Sequence, residues 1–474
     1  MKTEAIVLAA GQGRRMHSSK PKVLQKLAGT SLINHVIQSL QTISVSKTIV
    51  VTGHMADQVK HHIAGKNIIF TEQAEQLGTA HAVSMALPEL QDDSVVIILY
   101  GDVPLVGKDT IRKLINVVAS DTIGLLTVAL DDPKGYGRIV RDANGAVTEI
   151  IEHKDASQDQ LKIREINTGV IAIMARHLRT LVPLVDNNNR QKEFYLTDII
   201  KLAKTKGITI NTVSPKSPIE VQGVNDKKQL SELERSFQKN QAEKLLEKGV
   251  TIVDPKRFDL RGSLQTGKDC LIDINCVFEG DVRIGNDVHI EPNCIIKDSC
   301  VEDGVRIKAN SIIEDSEIST NAIVGPFARL RPGSKIMAKA KVGNFVEIKN
   351  SQIGLNSKVN HLAYVGDSLL GSEVNIGAGT ITCNYDGADK HQTIIDSNVF
   401  VGSNSTLVAP VHIRDGAFIG AGSTITSEVP VDSLGIGRAR QKNITGWKSL
   451  TKKAIDNVWN SWCRLRARCL WYFD

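Results

Sequence analysis

Two hydrophobic patterns divide the chain. Up to about residue 225, short aliphatic and β-branched runs alternate with segments in which apolar residues recur at helical spacing. This alternation predicts a mostly parallel sheet flanked by helices, an α/β Rossmann-like domain. Ser31 can cap a helix that carries Ile33, Val36, Ile37 and Leu40 on one face. The expected strands are Glu4–Ala10, Thr48–Thr52, Ile68–Thr71, Val95–Leu99 and Gly124–Val128.

Residues 226–248 have a different composition, rich in Lys, Glu, Gln and Leu. Leu230, Leu233, Phe237 and Leu245 recur there at helical spacing, which predicts an amphipathic helix that connects two domains.

Beyond this helix the period of the apolar residues changes to six. Large anchors stand at 272, 278, 284, 290 and 296, at 324–348, and at 395–425, each six apart. Four positions after many anchors comes a small or β-branched residue, and glycine often follows the anchor directly. A helix cannot produce a six-residue period. Three hexads can form one coil of a prism, so the pattern predicts a parallel β-helix stabilised coil upon coil.

Interruptions of the six-residue pattern have structural interpretations. One-residue slips near Val301, Ile318, Ile353 and Leu370 are expected at corners. Residues 383–392 break the pattern and predict a loop that projects from the prism. Three cysteines fall in the small-residue phase and are expected to be buried; they are Cys276, Cys294 and Cys300.

Composition narrows the class of protein. The 474 residues carry a net charge of +6 and no block of basic residues before the extreme C-terminus, which favours anionic small-molecule substrates over nucleic acid. The apolar run Ala5–Ala10 is too short for a signal peptide, and no stretch approaches the roughly 20 apolar residues of a transmembrane helix. We expect a cytoplasmic protein whose seven cysteines are free thiols.

The first strand runs into a glycine-rich turn, Gly11-Gln12-Gly13. Glycines let backbone amides approach a phosphate closely, although a plain tight turn explains such a pair equally well. Arg15 and Lys22 add cations beside the turn. Asp102 follows another apolar strand, where a carboxylate next to phosphate is well placed for Mg²⁺.

These motifs resemble the sugar-phosphate nucleotidyltransferases. The resemblance rests on Gly11-x-Gly13-x-Arg15-Met16, Pro21-Lys22, Gln76-Leu77-Gly78-Thr79 and Gly101-Asp102-Val103-Pro104. With Gly135-Tyr136-Gly137-Arg138, Glu152-His153-Lys154-Asp155 and Asn167-Thr168-Gly169 it narrows to the bifunctional bacterial enzymes that acetylate glucosamine-1-phosphate and then uridylylate the product to UDP-N-acetylglucosamine. It extends to about Trp447 and implies a uridylyltransferase domain at 1–225, a linker at 226–248, a left-handed β-helix acetyltransferase domain at 249–450, and an unmatched tail at 451–474.

The resemblance implies roles in the first domain residue by residue. Arg15 and Lys22 would neutralise charge on the triphosphate, and Asp102 with Asn225 would bind Mg²⁺. Arg14 stands where the family usually has threonine, and we expect it to face solvent. UTP and N-acetylglucosamine-1-phosphate would contact Leu8, Ala9, Ala10, Gly11, Gln73, Gly78, Thr79, Tyr100, Gly137, Glu152 and Asn167.

In the second domain, His361 lies within the repeat. A histidine there is more often structural or exposed, but Arg331, Lys349, Asn384 and Lys390 form a cationic, polar set around it. An imidazole of near-neutral pKa suits removal of an amine proton during acyl transfer. The resemblance implies that His361 is this base, and that the sugar phosphate is held by Arg331, Lys349, Tyr364, Asn375 and Lys390. Acetyl-CoA would contact Ala378, Asn384, Tyr385, Ser403, Ala421 and Arg438.

The resemblance further implies a homotrimer with sites between subunits. The tail carries aromatic and basic residues, which fit either a membrane-surface or partner helix or, as we expect, a terminal appendage. Two rival interpretations are a single-activity nucleotidyltransferase whose β-helix only oligomerises, and a scaffold with degenerate sites. The cation and carboxylate set of the first domain disfavours the scaffold. The residues around His361 disfavour the single activity.

Overall fold

A computed structural model describes residues 2–63 and 65–447 of the chain. The tail at 451–474 and its expected appendage lie outside these residues. The helices of the described chain are α1 (Leu32–Gln41), α2 (Ala56–His62), α3 (Thr79–Ala86), α4 (Lys108–Asn116), α5 (Ala175–Leu181), α6 (Asp198–Thr205) and α7 (Lys227–Glu247). Within this part of the chain, no helix is long and apolar enough to cross a membrane.

The first domain contains a nine-stranded, mostly parallel sheet. The strand Glu165–Met174 runs antiparallel to both of its neighbours in the main row, and Arg138–Arg141 pairs with it and with Val147–Ile151. The five expected strands are confirmed, with ends displaced by at most two residues. The main row is, in order, Thr209–Val213, Thr122–Ala129, Glu165–Met174, Val95–Tyr100, Thr3–Leu8, Lys47–Thr52 and Ile68–Glu72.

Helices cover both faces of this sheet, because alternate residues of its central strands enter two separate apolar clusters. Ile6 and Ile98 belong to one cluster, whereas Val7 and Ile97 belong to the other. Helix α1 begins as expected, since Ser31 Oγ accepts a hydrogen bond of 3.4 Å from the Asn34 N–H. The four predicted apolar residues of this helix are buried.

The second domain is a parallel β-helix with three faces. All sixteen predicted anchors and the small residues that follow them are buried in one continuous core. One face is the column Thr251–Ile252, Leu271–Ile272, His289–Ile290, Arg306–Ile307, Ile323–Val324, Lys341–Asn344, Lys358–His361, Asn375–Ile376, Phe400–Val401, Phe418–Ile419 and Leu434–Gly435. The other two faces are Phe258–Thr266, Cys276–Ile284, Ile295–Lys297, Cys300–Val301, Ile312–Glu314, Ser316–Ile318, Arg329–Leu330, Ser334–Ile336, Glu347–Lys349, Gln352–Ile353, Tyr364–Gly366, Ser368–Leu370, Ile381–Cys383, Thr393–Ile395, Thr406–Val408, Val411–Ile413 and Thr424–Ile425.

One cysteine departs from the predicted phase. Cys276 and Cys294 are buried, but Cys300 is exposed, so its prediction was wrong. The coil slips by one residue here, because Arg283 pairs with Cys300 and Ile284 with Val301. Ser299 thereby takes the buried small position, at 4% exposure. The five described cysteines are all free thiols.

Helix α7 connects the two domains and packs on the first coils of the β-helix. Its Ala242 and Leu245 belong to the β-helix core. Gln238 is 1% exposed and satisfies both backbone groups of Leu260: its Oε1 accepts from the N–H at 2.7 Å and its Nε2 donates to the carbonyl at 2.9 Å. A glutamine side chain thus replaces a strand neighbour at the open end of the prism.

We predict that Gln238→Ala lowers the stability of this junction by about 2 kcal/mol, because it leaves a buried N–H and a buried carbonyl without partners. Urea unfolding followed by circular dichroism measures the change in midpoint. Gln241→Ala, on the same helix and half-buried, is the control. Equal midpoints for the two variants would contradict the role of Gln238.

Candidate active sites

The first site is a cleft of about 310 Å³ at the carboxyl ends of the strands Thr3–Leu8 and Val95–Tyr100. Ligands bind at this edge in open α/β sheets, where the loops after the strands converge. Gln76 and Glu193 also line the cleft, and no role was predicted for either. The predicted residues that line it are Leu8, Ala9, Ala10, Gly11, Lys22, Gln73, Gly78, Thr79, Tyr100 and Asp102.

Gly78 is required by the local packing of this cleft. Its φ is +123°, and a Cβ there would lie 2.4 Å from the Phe194 carbonyl oxygen. Gln73, which is 3% exposed, donates a hydrogen bond of 3.0 Å from Nε2 to the Gly78 carbonyl. Gln73 therefore holds the turn that leads into α3 and lines the cleft, while its contact with a nucleotide stays a prediction.

A cation and two oxygen groups meet at one end of the cleft. The Lys22 ammonium pairs with Asp102 Oδ2 and lies 3.3 Å from Asn225 Oδ1. Lys22 and Asp102 are both largely buried, with side chains 15% and 18% exposed. Sequence positions 22, 102 and 225 thus converge on one point. A carboxylate and an amide oxygen that already share a cation form a suitable pair of ligands for a hard metal ion.

Gly137, Glu152 and Asn167 lie together beside the cleft. The Asn167 N–H donates to the Gly137 carbonyl at 2.9 Å, and a Cβ on Gly137 would lie 3.4 Å from Glu152 Oε1. Thr197, which sequence reasoning missed, donates from Oγ1 to Glu152 Oε1 at 3.3 Å. Burial raises the pKa of Glu152, and the nearby carboxylates of Asp198 and Asp155 raise it further.

The two arginines of the glycine-rich turn lie apart from this cluster. Arg14 and Arg15 are exposed in the short 3₁₀ turn Arg14–Met16. Arg14 Nε donates to Gln12 Oε1 at 2.8 Å, in agreement with its expected place at the surface. Arg15 is not among the residues that line the cleft.

The second site begins at the corner that follows the strand Lys358–His361. His361 stacks on Asn344 of the preceding coil, and its Nδ1 lies 2.7 Å from Asn344 Oδ1. An amide oxygen only accepts, so in the neutral ring Nδ1 carries the proton and Nε2 is the nitrogen with the lone pair. His361 is exposed and therefore accessible to a substrate.

Four predicted acetyl-CoA residues continue this corner coil by coil. The Asn404 N–H donates to the Ala378 carbonyl at 2.7 Å, and the Gly422 N–H donates to the Ser403 carbonyl at 2.8 Å. Arg438 donates to the Ala421 carbonyl at 2.5 Å. We call this column, from His361 through Ala378, Ser403 and Ala421 to Arg438, the histidine corner.

The next corner, around Lys349, carries a separate polar group. Lys349 Nζ lies 3.4 Å from Asp367 Oδ2, and Asn350 donates to Asp367 Oδ1 at 2.6 Å. Asn384 donates to the same carboxylate. Burial alone raises the pKa of Asp367, but the hydrogen bonds from Asn350 and Asn384 and the Lys349 charge hold it below its usual value. We call this group the lysine corner; sequence reasoning missed Asp367.

The remaining predicted residues lie on and around these two corners. Arg331 belongs to the coil before Lys349 and donates to Glu347 Oε1 at 3.0 Å. Tyr364 begins the strand that leads from the histidine corner to the lysine corner, and Asn375 stacks on Lys358. Tyr385 and Lys390 pair across the projecting loop, which is confirmed at 384–392. Within one chain, the predicted sugar-phosphate residues therefore divide between two corners.

Family models match parts of both halves of the chain. Residues 5–164 match the MobA-like NTP transferase domain. Residues 264–298 match the bacterial transferase hexapeptide of six repeats, and residues 392–427 match the hexapeptide repeat of succinyl-transferase. A solved nucleotidyl transferase from Methanothermobacter thermautotroptrophicus covers 50% of this chain and 97% of its own, at 20% identity and a TM-score of 0.37.

Two curated relatives span nearly the whole chain. The bifunctional protein GlmU of Marinobacter nauticus is 51% identical over 94% of this chain and 98% of its own length. That of Pseudomonas syringae pv. tomato is 53% identical over 96% of this chain and 100% of its own. Identity at this level over both domains leaves one assignment: the chain belongs to the family of bifunctional GlmU proteins.

Proposed function

We propose residue roles for the two reactions of this bifunctional transferase, which are N-acetylation of glucosamine-1-phosphate and uridylyl transfer to the product. The first domain is the uridylyltransferase, and the β-helix is the acetyltransferase. Together they form UDP-N-acetylglucosamine from a sugar phosphate, acetyl-CoA and UTP. The observation that carries the residue roles is the convergence of distant predicted positions on two local sites.

In the first site, UTP lies in the cleft between the glycine-rich turn and α3. The backbone of Leu8–Gly11, with Gln73, Gly78 and Thr79, contacts the nucleotide. The sugar phosphate lies beside Tyr100, Gly137, Glu152 and Asn167. A phosphate oxygen of the sugar attacks the α-phosphorus of UTP and pyrophosphate leaves, so the protein supplies position and cations and no covalent nucleophile.

Asp102 and Asn225 hold Mg²⁺ in this proposal. Only two protein oxygens are offered, which suits an ion that keeps several waters and binds substrate phosphates. Groups of three or more acidic, histidine or cysteine ligands are absent from the described residues, so a closed protein site does not compete. When bound, the ion draws negative charge from the phosphates. Lys22 supplies a further cation inside the cleft, and the exposed Arg15, which does not line the cleft, supplies another from the glycine-rich turn.

In the second site, His361 is the general base. Its Nε2 takes a proton from the amine of glucosamine-1-phosphate as the nitrogen attacks the thioester carbonyl of acetyl-CoA. The carbon–sulfur bond then breaks and coenzyme A leaves. Asn344 positions His361, because its oxygen fixes the tautomer with Nε2 unprotonated. Acetyl-CoA follows the histidine corner and also contacts Asn384 and Tyr385.

The division of polar residues between two corners supports a homotrimer. Arg331, Lys349, Lys390 and the hydroxyl end of Tyr364 gather at or near the lysine corner, whereas His361 and Asn375 are at or near the histidine corner. A second copy that brings its lysine corner to the first copy's histidine corner completes a site with both a base and phosphate-binding cations.

An exposed apolar column beside His361 also supports self-association. Phe327, Phe345 and Leu362 are 49%, 56% and 61% exposed, and each has a left-handed φ, between 46° and 56°. The two phenyl rings stack with centroids 5.2 Å apart. Large side chains in this conformation cost about 1–2 kcal/mol each. Burial against another copy offsets that cost. We place the enzyme in the cytoplasm, where UTP and acetyl-CoA are available.

The two sites are tested by reciprocal variants. With glucosamine-1-phosphate, acetyl-CoA, UTP and Mg²⁺, we expect Asp102→Ala to stop UDP-sugar formation and to spare acetylation. His361→Ala should cut acetylation by about 10²–10⁴-fold and spare uridylylation of supplied N-acetylglucosamine-1-phosphate. Chromatography of each product separates the two rates. Loss of both activities in either variant, with a lower Tm, would instead indicate a structural role.

We expect Glu152→Gln to raise the stability of the first domain and to lower its uridylyltransferase activity. Because burial raises the folded-state pKa of Glu152 above its unfolded value, ionised Glu152 destabilises the fold at pH values above the unfolded pKa. We predict a higher Tm than wild type at pH 7, a difference that disappears near pH 4, and slower uridylyl transfer. Thermal unfolding at the two pH values checks this. Equal Tm values at pH 7 would contradict the cost of burial.

Phe327→Asn combined with Phe345→Asn tests the apolar column. Asparagine tolerates the left-handed conformation, so each subunit keeps its fold while the interface loses its apolar area. We expect analytical ultracentrifugation to show a shift from trimer to monomer, with loss of acetylation and normal uridylylation. Leu184→Asn, which removes an apolar residue that is 50% exposed in the first domain, is the control. A trimeric double variant would contradict the interface.

A further inference from the structure

Lys22 already occupies the space between the two oxygens to which we assign Mg²⁺. Its ammonium pairs with Asp102 Oδ2 and approaches Asn225 Oδ1 to 3.3 Å. A bound Mg²⁺ lies about 2.0–2.1 Å from each ligand oxygen. An ammonium and a divalent cation cannot both lie between the same two oxygens, because they overlap and repel each other.

The backbone of Lys22 is fixed, so only its side chain can leave. Lys22 begins a 3₁₀ turn directly after Pro21. Its Cβ packs so closely on the glycine-rich turn that a Cβ on Gly13 would lie 2.6 Å away. A long, flexible side chain on a fixed base can swing from the oxygen pair to the phosphate side of the same cleft, which it also lines.

We infer that the Lys22 ammonium competes with the metal ion for the oxygens of Asp102 and Asn225, and that it moves to the triphosphate when the metal binds. Without metal, the ammonium neutralises Asp102 and keeps the oxygen pair in place. Metal binding expels the ammonium and frees it for the phosphates. This inference deepens the proposed uridylyltransferase function and rests on its metal site.

The competition predicts that loss of Lys22 has opposite effects on the binding of phosphate groups and on the binding of metal. Loss of Lys22 weakens the binding of phosphate groups but strengthens the binding of metal alone, since the metal no longer has to displace an ammonium. A charge-assisted hydrogen bond is worth about 1.5–3 kcal/mol, which corresponds to at least tenfold in affinity. A lysine that only binds phosphate has no such effect on metal binding in the absence of nucleotide.

The test measures Mn²⁺ binding to the full-length protein in the absence of nucleotide. Electron paramagnetic resonance reports the concentration of free Mn²⁺ during the titration. We expect Lys22→Met to bind Mn²⁺ at least tenfold more tightly than wild type. Lys26→Met is the matched control. Lys26 is four positions after Lys22, its side chain is exposed, and the substitution removes the same charge. Its Mn²⁺ affinity should stay within about twofold of wild type, in keeping with a screened surface charge.

Two outcomes overturn the inference. Wild-type or weaker Mn²⁺ binding by Lys22→Met means that Lys22 does not compete, and equal gains in Lys22→Met and Lys26→Met mean that only net charge matters. Mn²⁺ binding by Asp102→Ala distinguishes these two results from an error in the assignment of Asp102 as a metal ligand. If Asp102→Ala binds Mn²⁺ as wild type does, the metal lies elsewhere and the proposed function of Asp102 is wrong.

Discussion

The register between successive coils is the constraint on which the second domain depends. Val324 pairs with Val342, and Val342 pairs with Val359, so one coil takes 18 residues and the next takes 17. Each inward anchor is thereby placed on another anchor, about 4.8 Å away. The same register places the outward side chains in columns. Asn344 meets His361 because Val342 meets Val359, so the buried apolar core determines the geometry of the proposed base.

The first domain assembles its site differently, from charged and polar groups that are far apart in the sequence. Lys22, Asp102 and Asn225 come from a turn after a glycine loop, the end of a central strand and the residue before the N-cap of α7. No repeat places them; the edge of a parallel sheet does, because the loops that follow its strands converge there. Electrostatic attraction then holds the three side chains together. The β-helix site is accordingly rigid in its backbone, whereas this site keeps a mobile cation.

Sequence reasoning succeeded where one physical rule acted alone. The six-residue period requires buried anchors, and all of the predicted ones are buried. It failed at Cys300, because the expected one-residue slip near Val301 shortens this coil to 17 residues and puts Ser299, not Cys300, in the buried small position. Asn344, Asp367 and Thr197 were missed for a different reason. Thr197 touches Glu152, 45 positions away, and single-sequence patterns contain no signal for such a contact. Asn344 and Asp367 each touch a residue one coil away, at 17 positions, and these contacts follow only when the hexads are stacked into coils.

Helix α7 relates the two kinds of site. Asn225 directly precedes its N-cap, Asp226, whose carboxylate accepts from the Gln229 N–H at 2.8 Å. Gln229 Oε1 in turn accepts from the Asn225 N–H at 2.7 Å. Farther along the same helix, Gln238 completes the open end of the β-helix. Asn225 therefore lies at the start of a helix that packs on both domains, since Leu233 joins a cluster with Met16 of the first domain and Leu245 joins the β-helix core. Helix α7 and the close approach of Arg261 to Gly29 are two contacts of the described chain through which the β-helix can influence uridylyl transfer.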